Sequence, residues 1–276
     1  MAPSKQHYLT ASVIGGFGRR AGDDPLRKAL VAVREKSRPG SFRLSSAEGV
    51  AYERGLYLLE DVSPEIENAI DDIWTQLEGP VPYAIAALGS SRASQDDLVA
   101  VALYVAALGA RHPDYFQKVV ARHVSKVGAE RLPVGNEVQL LRIPAFRNGV
   151  AQVRALRWRV LDVPEDVPRL ILNDAGFSVI REQGRRSGAL FVPLAPRLGL
   201  LCYEDAKGRL LDRRLTQESS VDWLNVSTWA DAPRAAFAFP DDADYLLGLS
   251  ESAEMWTNRY GPYRWHYHSL LGDDEL

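Results

Sequence analysis

Few residues in this chain have the type and spacing for chemistry. Arg111-His112-Pro113-Asp114 follows a long Ala/Val/Leu run, so the guanidinium stands at a helix C-terminus, where the helix dipole favours a cation. Such an arginine either faces a pocket and pairs an anion or caps the last carbonyls. Asn173-Asp174 follows a strand-like segment at 169–172, where polar side chains emerge from a sheet edge and often line sites, although Asn-Asp is also ordinary turn chemistry. His266 and His268 would share one face of a strand and present two imidazoles to a metal. No carboxylate stands at a fixed spacing to complete that set, so no metal site is assigned. Gly15, Gly16 and Gly18 do not make a phosphate loop, because no strand precedes them and no Lys-Ser/Thr pair follows. Walker, dinucleotide, His-Glu-x-x-His and Gly-x-Ser-x-Gly signatures are absent.

The elements that must position these groups divide the chain. Segments 30–34 and 42–44 read as two strands separated by Pro39-Gly40. From Ser63-Pro64 the spacing of Ile66, Ala69, Ile70, Ile73 and Leu77 predicts an amphipathic helix with Ser63 as its cap. A short helix near 83–88 follows. Ser94 with Asp97 predicts a capping box at the start of a helix over 98–110 that is apolar on nearly all sides and therefore central to a core. Another helix is expected from Pro113 to about 127, and the punctuation between 131 and 148 gives no clear element. Beyond it come strand-like segments at 153–160, 169–172, 177–180, 189–192 and 199–203, read as one curved antiparallel sheet. A helix at 221–230 and a strand at 235–239 complete the series, and the aromatic segment 260–268 reads as a tail docking back on the domain. The expected class is α+β: a helical N-terminal half packed on a mainly antiparallel C-terminal sheet. One integrated domain is expected over 1–276, helix-rich to about 130, strand-rich over about 150–240, with an aromatic tail at 250–276.

Composition narrows the function classes. The 276 residues are 46% hydrophobic, enough for a proper core, and this excludes disorder for most of the length. A formal net charge of −3 provides no global field for polyanions, so a nucleic-acid partner would need a local basic groove. Arg142, Arg147, Arg154, Arg157 and Arg159 could line one, or simply form a solvated face. Cys202 is the only cysteine, which removes any intrachain disulfide or multi-thiolate zinc site and suits a reducing compartment. With no signal-peptide core and no window near the roughly 18 apolar residues of a membrane span, a cytoplasmic, non-membrane protein is expected. Nothing in the composition assigns a cofactor or a particular partner.

Taken in order, the landmarks resemble the bacterial family known as domain of unknown function 4238. His7-Tyr8-Leu9-Thr10 with Phe17 resembles its opening His-Tyr-x-Pro motif, and Tyr52-Glu-Arg-Gly-Leu-Tyr57 its short segment ending in tyrosine. Residues 65–78 resemble its acidic helix, and 98–113 its helix ending in Arg-Pro. Trp158 to Leu161, Leu170-Ile-Leu-Asn173-Asp174, and Phe191-Val-Pro193-Leu194-Ala-Pro196 are similar to its strand motifs. Val221-Asp-Trp-Leu-Asn225 with Ala232 is similar to its late helix. The missing proline after His7-Tyr8 and the missing Asn-Pro after Asp174 mark a divergent member with an altered or idle site.

The family has no settled activity, and the polar residues at these landmarks give two readings. In the first, the chain is a hydrolase acting on a phosphoester or similar polar substrate. His7 would be general acid or base, Asp174 would orient it or hold a metal, and Arg111 would pair an anionic oxygen, with Tyr8, Asn173 and Asn225 binding substrate. In the second, it is a non-catalytic binding or interaction protein, of the kind found in a defence or genomic-conflict cassette. There the same polar residues bolt the fold together, since buried polar groups must be hydrogen-bonded.

Overall fold

A computed structural model describes residues 5–114, 133–180, 189–204, 211–215 and 218–260, with 117, 120, 121, 124 and 125 between them. The chain opens with strand β1 (Lys5–His7) and helix α1 (Ala11–Gly16), then β2 (Leu30–Glu35), β3 (Arg43–Ser46) and β4 (Tyr52–Arg54). Helices α2 (Ala69–Glu78), α3 (Val81–Gly89), α4 (Gln95–Arg111), α5 (Asn136–Leu140) and α6 (Arg142–Ala155) follow. Next come β5 (Arg157–Asp162), β6 (Leu172–Asn173), β7 (Ser178–Ile180), β8 (Ala189–Ala195), β9 (Leu198–Tyr203) and β10 (Leu211–Leu215). Helix α7 (Glu218–Asp231), β11 (Ala235–Ala238) and α8 (Ala243–Tyr260) end the described chain. The class is α+β, as expected. Among the described residues, no helix is long and apolar enough to cross a membrane.

Local chemistry explains most of these elements. The capping box forms as its spacing predicts: Asp97 N–H donates to Ser94 Oγ at 3.2 Å, and Ser94 N–H donates to Asp97 Oδ2 at 2.8 Å. From Ala100 to Arg111 nearly every residue of α4 is buried, which suits its apolar surface. Helix α2 begins six residues after Ser63, with Asn68 rather than Ser63 at its N-cap. The intervening residues turn tightly, because Leu59 N–H takes the Glu67 carbonyl and Ile66 N–H the Ser63 carbonyl. Residues 153–155, expected in a strand, instead end α6, and Val153 is fully buried there. Of the helix expected after Pro113, residues 113, 114, 117, 120, 121, 124 and 125 are helical and the remainder lies outside the described residues. His266, His268 and the chain beyond 260 also lie outside them.

The described chain forms two compact units, each assembled from separated stretches: 5–9 with 52–154, and 10–51 with 155–260. In the first, β1 pairs antiparallel with β4, Gln6 opposite Glu53, and helices α2 to α6 surround a core of Tyr57, Leu59, Ile70, Trp74, Ala107, Ala110 and Ala145. The second holds two sheets, in the orders β10-β5-β9-β8-β7 and β3-β2-β11-β6. The single curved sheet expected from the later strands is therefore corrected. Strands β6 and β11 leave it for the sheet of the early strands, where β11 pairs with β2 and β6 with β11, and β10 runs parallel to β5.

A contrast between adjacent glycines tests the packing of α1. An added Cβ at Gly15 would lie 1.8 Å from the Leu26 carbonyl oxygen, whereas at Gly16 nothing lies within 4 Å. Gly15→Ala is expected to destabilise by at least about 2 kcal/mol through overpacking. Gly16→Ala should be neutral or stabilising by up to about 1 kcal/mol, since alanine is the better helix former. Denaturant titration of both variants checks this.

Candidate functional site

In the first unit, polar groups gather at the C-terminal end of α4. The last carbonyls of a helix have no partner within it. Here Tyr57 Oη donates to the Arg111 carbonyl at 3.1 Å, and Arg142 Nη1 donates to both the Ala110 and Arg111 carbonyls. Gly55, at a φ of 69°, takes the left-handed turn that leads from β4 towards Tyr57. Tyr57 N–H donates to Gln6 Oε1 at 2.7 Å, which ties that turn to β1. Arg142 comes from the start of α6, held by its Nε donating to Gln139 Oε1 at 2.9 Å.

Arg111 itself is 4% exposed. Its guanidinium forms an ion pair with Glu78 at the end of α2 and donates to the His7 carbonyl of β1. Burial works against that cation, and the Glu78 carboxylate, with Tyr57, outweighs it, so Arg111 is held above its ordinary pKa. Burial pulls Arg142 down to about 10. Tyr57 and Tyr104 are both pushed up, chiefly by burial. Asp71, two turns before Glu78 on α2, is raised by its own burial and by Glu78 and Asp72, against the pull of Arg111 and Gln6. Among the described residues, the buried donors Trp74 Nε1 and Tyr104 Oη have no hydrogen-bond partner. The Arg111 guanidinium carbon lies 5.9 Å from the Trp74 ring centroid.

Of the residues singled out in the sequence, His7, Tyr8 and Arg111 belong to this unit, and Asn173, Asp174 and Asn225 to the other. His7 meets Arg111 through its backbone carbonyl, while its imidazole lies 5.8 Å from the Tyr52 ring centroid. Tyr8 packs edge-on against the fully buried His112. In the second unit, Asp174 Oδ1 accepts from Arg234 N–H and Ala235 N–H at 3.2 and 3.1 Å, fixing the entry to β11. Asn173 Nδ2 donates to the Phe177 and Thr228 carbonyls. Asn225 Oδ1 accepts from Ile171 N–H, and its Nδ2 donates to the Arg169 carbonyl and Tyr245 Oη. Within each unit, these side chains join strands and helix ends.

Sequence reasoning did not single out Gln6, Tyr57, Asp71, Glu78 or Arg142 as partners of Arg111. The available signal was the spacing of Asp71, Trp74 and Glu78, which puts two carboxylates and an indole along one face of α2. The expected solvated arginine face is corrected at one position: Arg142 is buried, whereas Arg147 and Arg154 are exposed. Among the described residues, no three His, Cys, Asp or Glu side chains gather where they could share a metal ion. Comparison with protein-family models, curated proteins and solved structures finds no match to the chain.

Two substitutions separate the roles on α2. Glu78→Gln leaves the Arg111 charge buried without its carboxylate and is expected to lose about 2–3 kcal/mol of stability. For Asp71, the folded pKa is raised, so its favourable contribution is present below the ordinary carboxylate range and is lost as pH rises through the folded value. Asp71→Asn stays neutral throughout. It should melt above wild type at neutral pH and match it near about pH 3, where Asp71 is itself protonated. Thermal melts across that pH range check the sign.

Proposed function

We propose that the chain is a non-catalytic binding or interaction protein. One observation carries this reading: Arg111, Asn173, Asp174 and Asn225 are each nearly or wholly buried and donate to or accept from backbone groups of their own unit. Side chains held this way stabilise a scaffold, and buried polar groups require such partners whether or not a substrate exists. The second unit also presents exposed apolar side chains beside a sheet edge. Leu30 and Leu44 share one face, because Leu44 stands opposite Ala32, and Phe42 lies just before β3. Kinship with the domain of unknown function 4238 family belongs to the same proposal, since the resembling segments are the ones that supply Arg111, Asn173, Asp174 and Asn225.

Hydrolysis of a phosphoester or similar polar substrate is the second reading. It is favoured by Asp71, a half-buried carboxyl whose raised pKa suits a general acid, beside Glu78 and the Arg111 cation.

Asp174→Ala removes the acceptor for two backbone amides and is expected to lower the thermal midpoint by several degrees, at about 2–4 °C per kcal/mol for a chain of this size. Purified protein should not turn over bis-p-nitrophenyl phosphate above background, with or without added magnesium or manganese. An unchanged melting point in Asp174→Ala together with phosphodiester turnover by the wild type would overturn the binding reading in favour of hydrolysis.

A further inference from the structure

Among the described residues, the four-stranded sheet of the second unit ends at β3. An edge strand offers unpaired backbone donors and acceptors, and folded proteins usually guard it with a bulge, a proline or a charge. The β2–β3 register runs unbroken from Leu30 opposite Ser46 to Val33 opposite Arg43, and β3 contains no proline. Arg43, the only charge in β3, stands on the other face from Leu44 and is tied to Glu35 at 3.1 Å. The face that carries Leu44 is left without a guard.

That face is apolar and open to solvent at the edge. Leu30 and Leu44 are 47% and 53% exposed, and Phe42, one residue before β3, is 40% exposed. All three share the face of Ala32 and Arg34: Leu44 is opposite Ala32, and the same register continued two steps sets Phe42 opposite Arg34. Ala32 and Arg34 are buried, and the Arg34 guanidinium meets the Trp229 ring of α7 and the Leu246 carbonyl of α8. The helical cover of the sheet therefore stops one strand short of its edge.

We propose that β3 pairs antiparallel with β3 of a second copy, about a twofold axis that passes through Leu44 normal to the sheet. Such an axis keeps both apolar faces on one side, and the contact is isologous, so one set of residues serves both partners. Charge and size select the register. An axis at Arg43 would set two arginines opposite each other, and one at Ser45 would set Phe42 against Glu48. An axis at Leu44 sets Leu44 against Leu44, Arg43 against Ser45 and Phe42 against Ser46. The small Ser46 leaves room for the Phe42 ring of the other copy, and Leu30, the β2 neighbour of Ser46, stands behind it. The exposed apolar residues of both copies then form one cluster across the join. Three side chains and a short strand from each copy fall below the roughly 800 Å² per partner of a standard interface, so the dimer is weak. The pairing names the partner for the binding reading above and rests on that reading.

Sedimentation of the full-length chain from about 1 to 300 μM should pass from monomer to dimer, as a weak interface does. Leu44→Lys places a charge at the axis and should leave the chain monomeric throughout. Its melting midpoint in dilute solution should match wild type, because residue 44 is exposed. Cys202 is the only cysteine and is fully buried, so an introduced cysteine on the surface is the one accessible thiol. Under mild oxidation, Leu44→Cys should form a covalent dimer at least about tenfold faster than Val99→Cys, since opposite residues bring their Cβ atoms near disulfide reach. Val99 is the control because it is exposed on α4 of the first unit. A wild-type chain that stays monomeric, leaving the edge to a strand of another protein, overturns the self-pairing. So does a dimer that survives Leu44→Lys, or a Leu44→Cys cross-link no faster than that of Val99→Cys. Phosphodiester turnover does not depend on these outcomes, so failure of the self-pairing is distinguishable from failure of the binding reading.

Discussion

The exposed carbonyls at a helix C-terminus have to be satisfied, and in the first unit that requirement falls at the centre of the core. Helix α4 is buried through its last turns, so water cannot serve the Ala110 and Arg111 carbonyls, and side chains from two other segments take its place. Both Arg142, which supplies donors, and Arg111, which ends the helix, bring positive charge to the negative end of the macrodipole. Two guanidinium groups so close would repel, and Glu78 restores the balance while also tying α2 to α4. Gln6 then aligns β1 with the turn that carries Tyr57. Helices α2, α4 and α6 and strand β1 are thereby fixed by one set of groups, and the apolar cluster around Trp74 fills the space between them.

The second unit meets the same kind of demand with a polar stripe on one helix. Asn225, Thr228 and Asp231 recur every three residues along α7, so they lie near one face. Asn225 and Asp231 reach backbone amides of Ile171 and Val179 with their side chains, and the Thr228 carbonyl receives Asn173. The Thr228 hydroxyl bonds back to the Leu224 carbonyl at 2.8 Å, so it needs no partner across the interface. Between these polar points, Val226, Trp229 and Ala232 supply apolar contact. An inner helix face that mixes both kinds of residue explains why α7 does not present the clean apolar stripe of an ordinary amphipathic helix.

What could be read in the sequence was what local chemistry decides. The capping box at Ser94, the apolar surface of α4, and the short strands with β-branched residues depend on neighbours a few positions apart. The start of α2 was misplaced because the competing partner of the Glu67 carbonyl, Leu59 N–H, comes from the preceding loop. Helices α5 and α6 were hidden by Pro144, Gly135 and Gly149. Gly149, a poor helix former by type, stands in α6 where an added Cβ would lie 3.2 Å from the Ala106 carbonyl oxygen. The division into two sheets was invisible because β2 finds β11 at the far end of the chain, and pairing of that range leaves no local trace. Of the site, Arg111, Asn173, Asp174 and Asn225 were picked out as polar groups at structural junctions, but their partners are mostly backbone carbonyls and amides. Any residue type can supply such a partner, so composition and spacing cannot name it.

Connectivity adds one more constraint. The chain passes between units near residues 9, 51 and 154, so neither unit is a continuous segment. Strand β1 must wait for β4, and the intervening residues 10–51 belong to the other unit. Likewise β2, already paired with β3, must wait for β11, with the whole of 52–154 between them. Loop closure by itself is a modest barrier, rising by only about 0.6 kcal/mol for each doubling of loop length. A folded insert shortens the loop further by holding its own ends in place. Pairs of that range cost more entropy to close than the local contacts that build helices α2 to α4. Gln6 and Asp174 act at the two kinds of closure, the first binding β1 to the turn after β4 and the second binding the end of β6 to the start of β11. Each stands where a segment distant in sequence must be held in register, and that is reason enough for a buried polar side chain at either position.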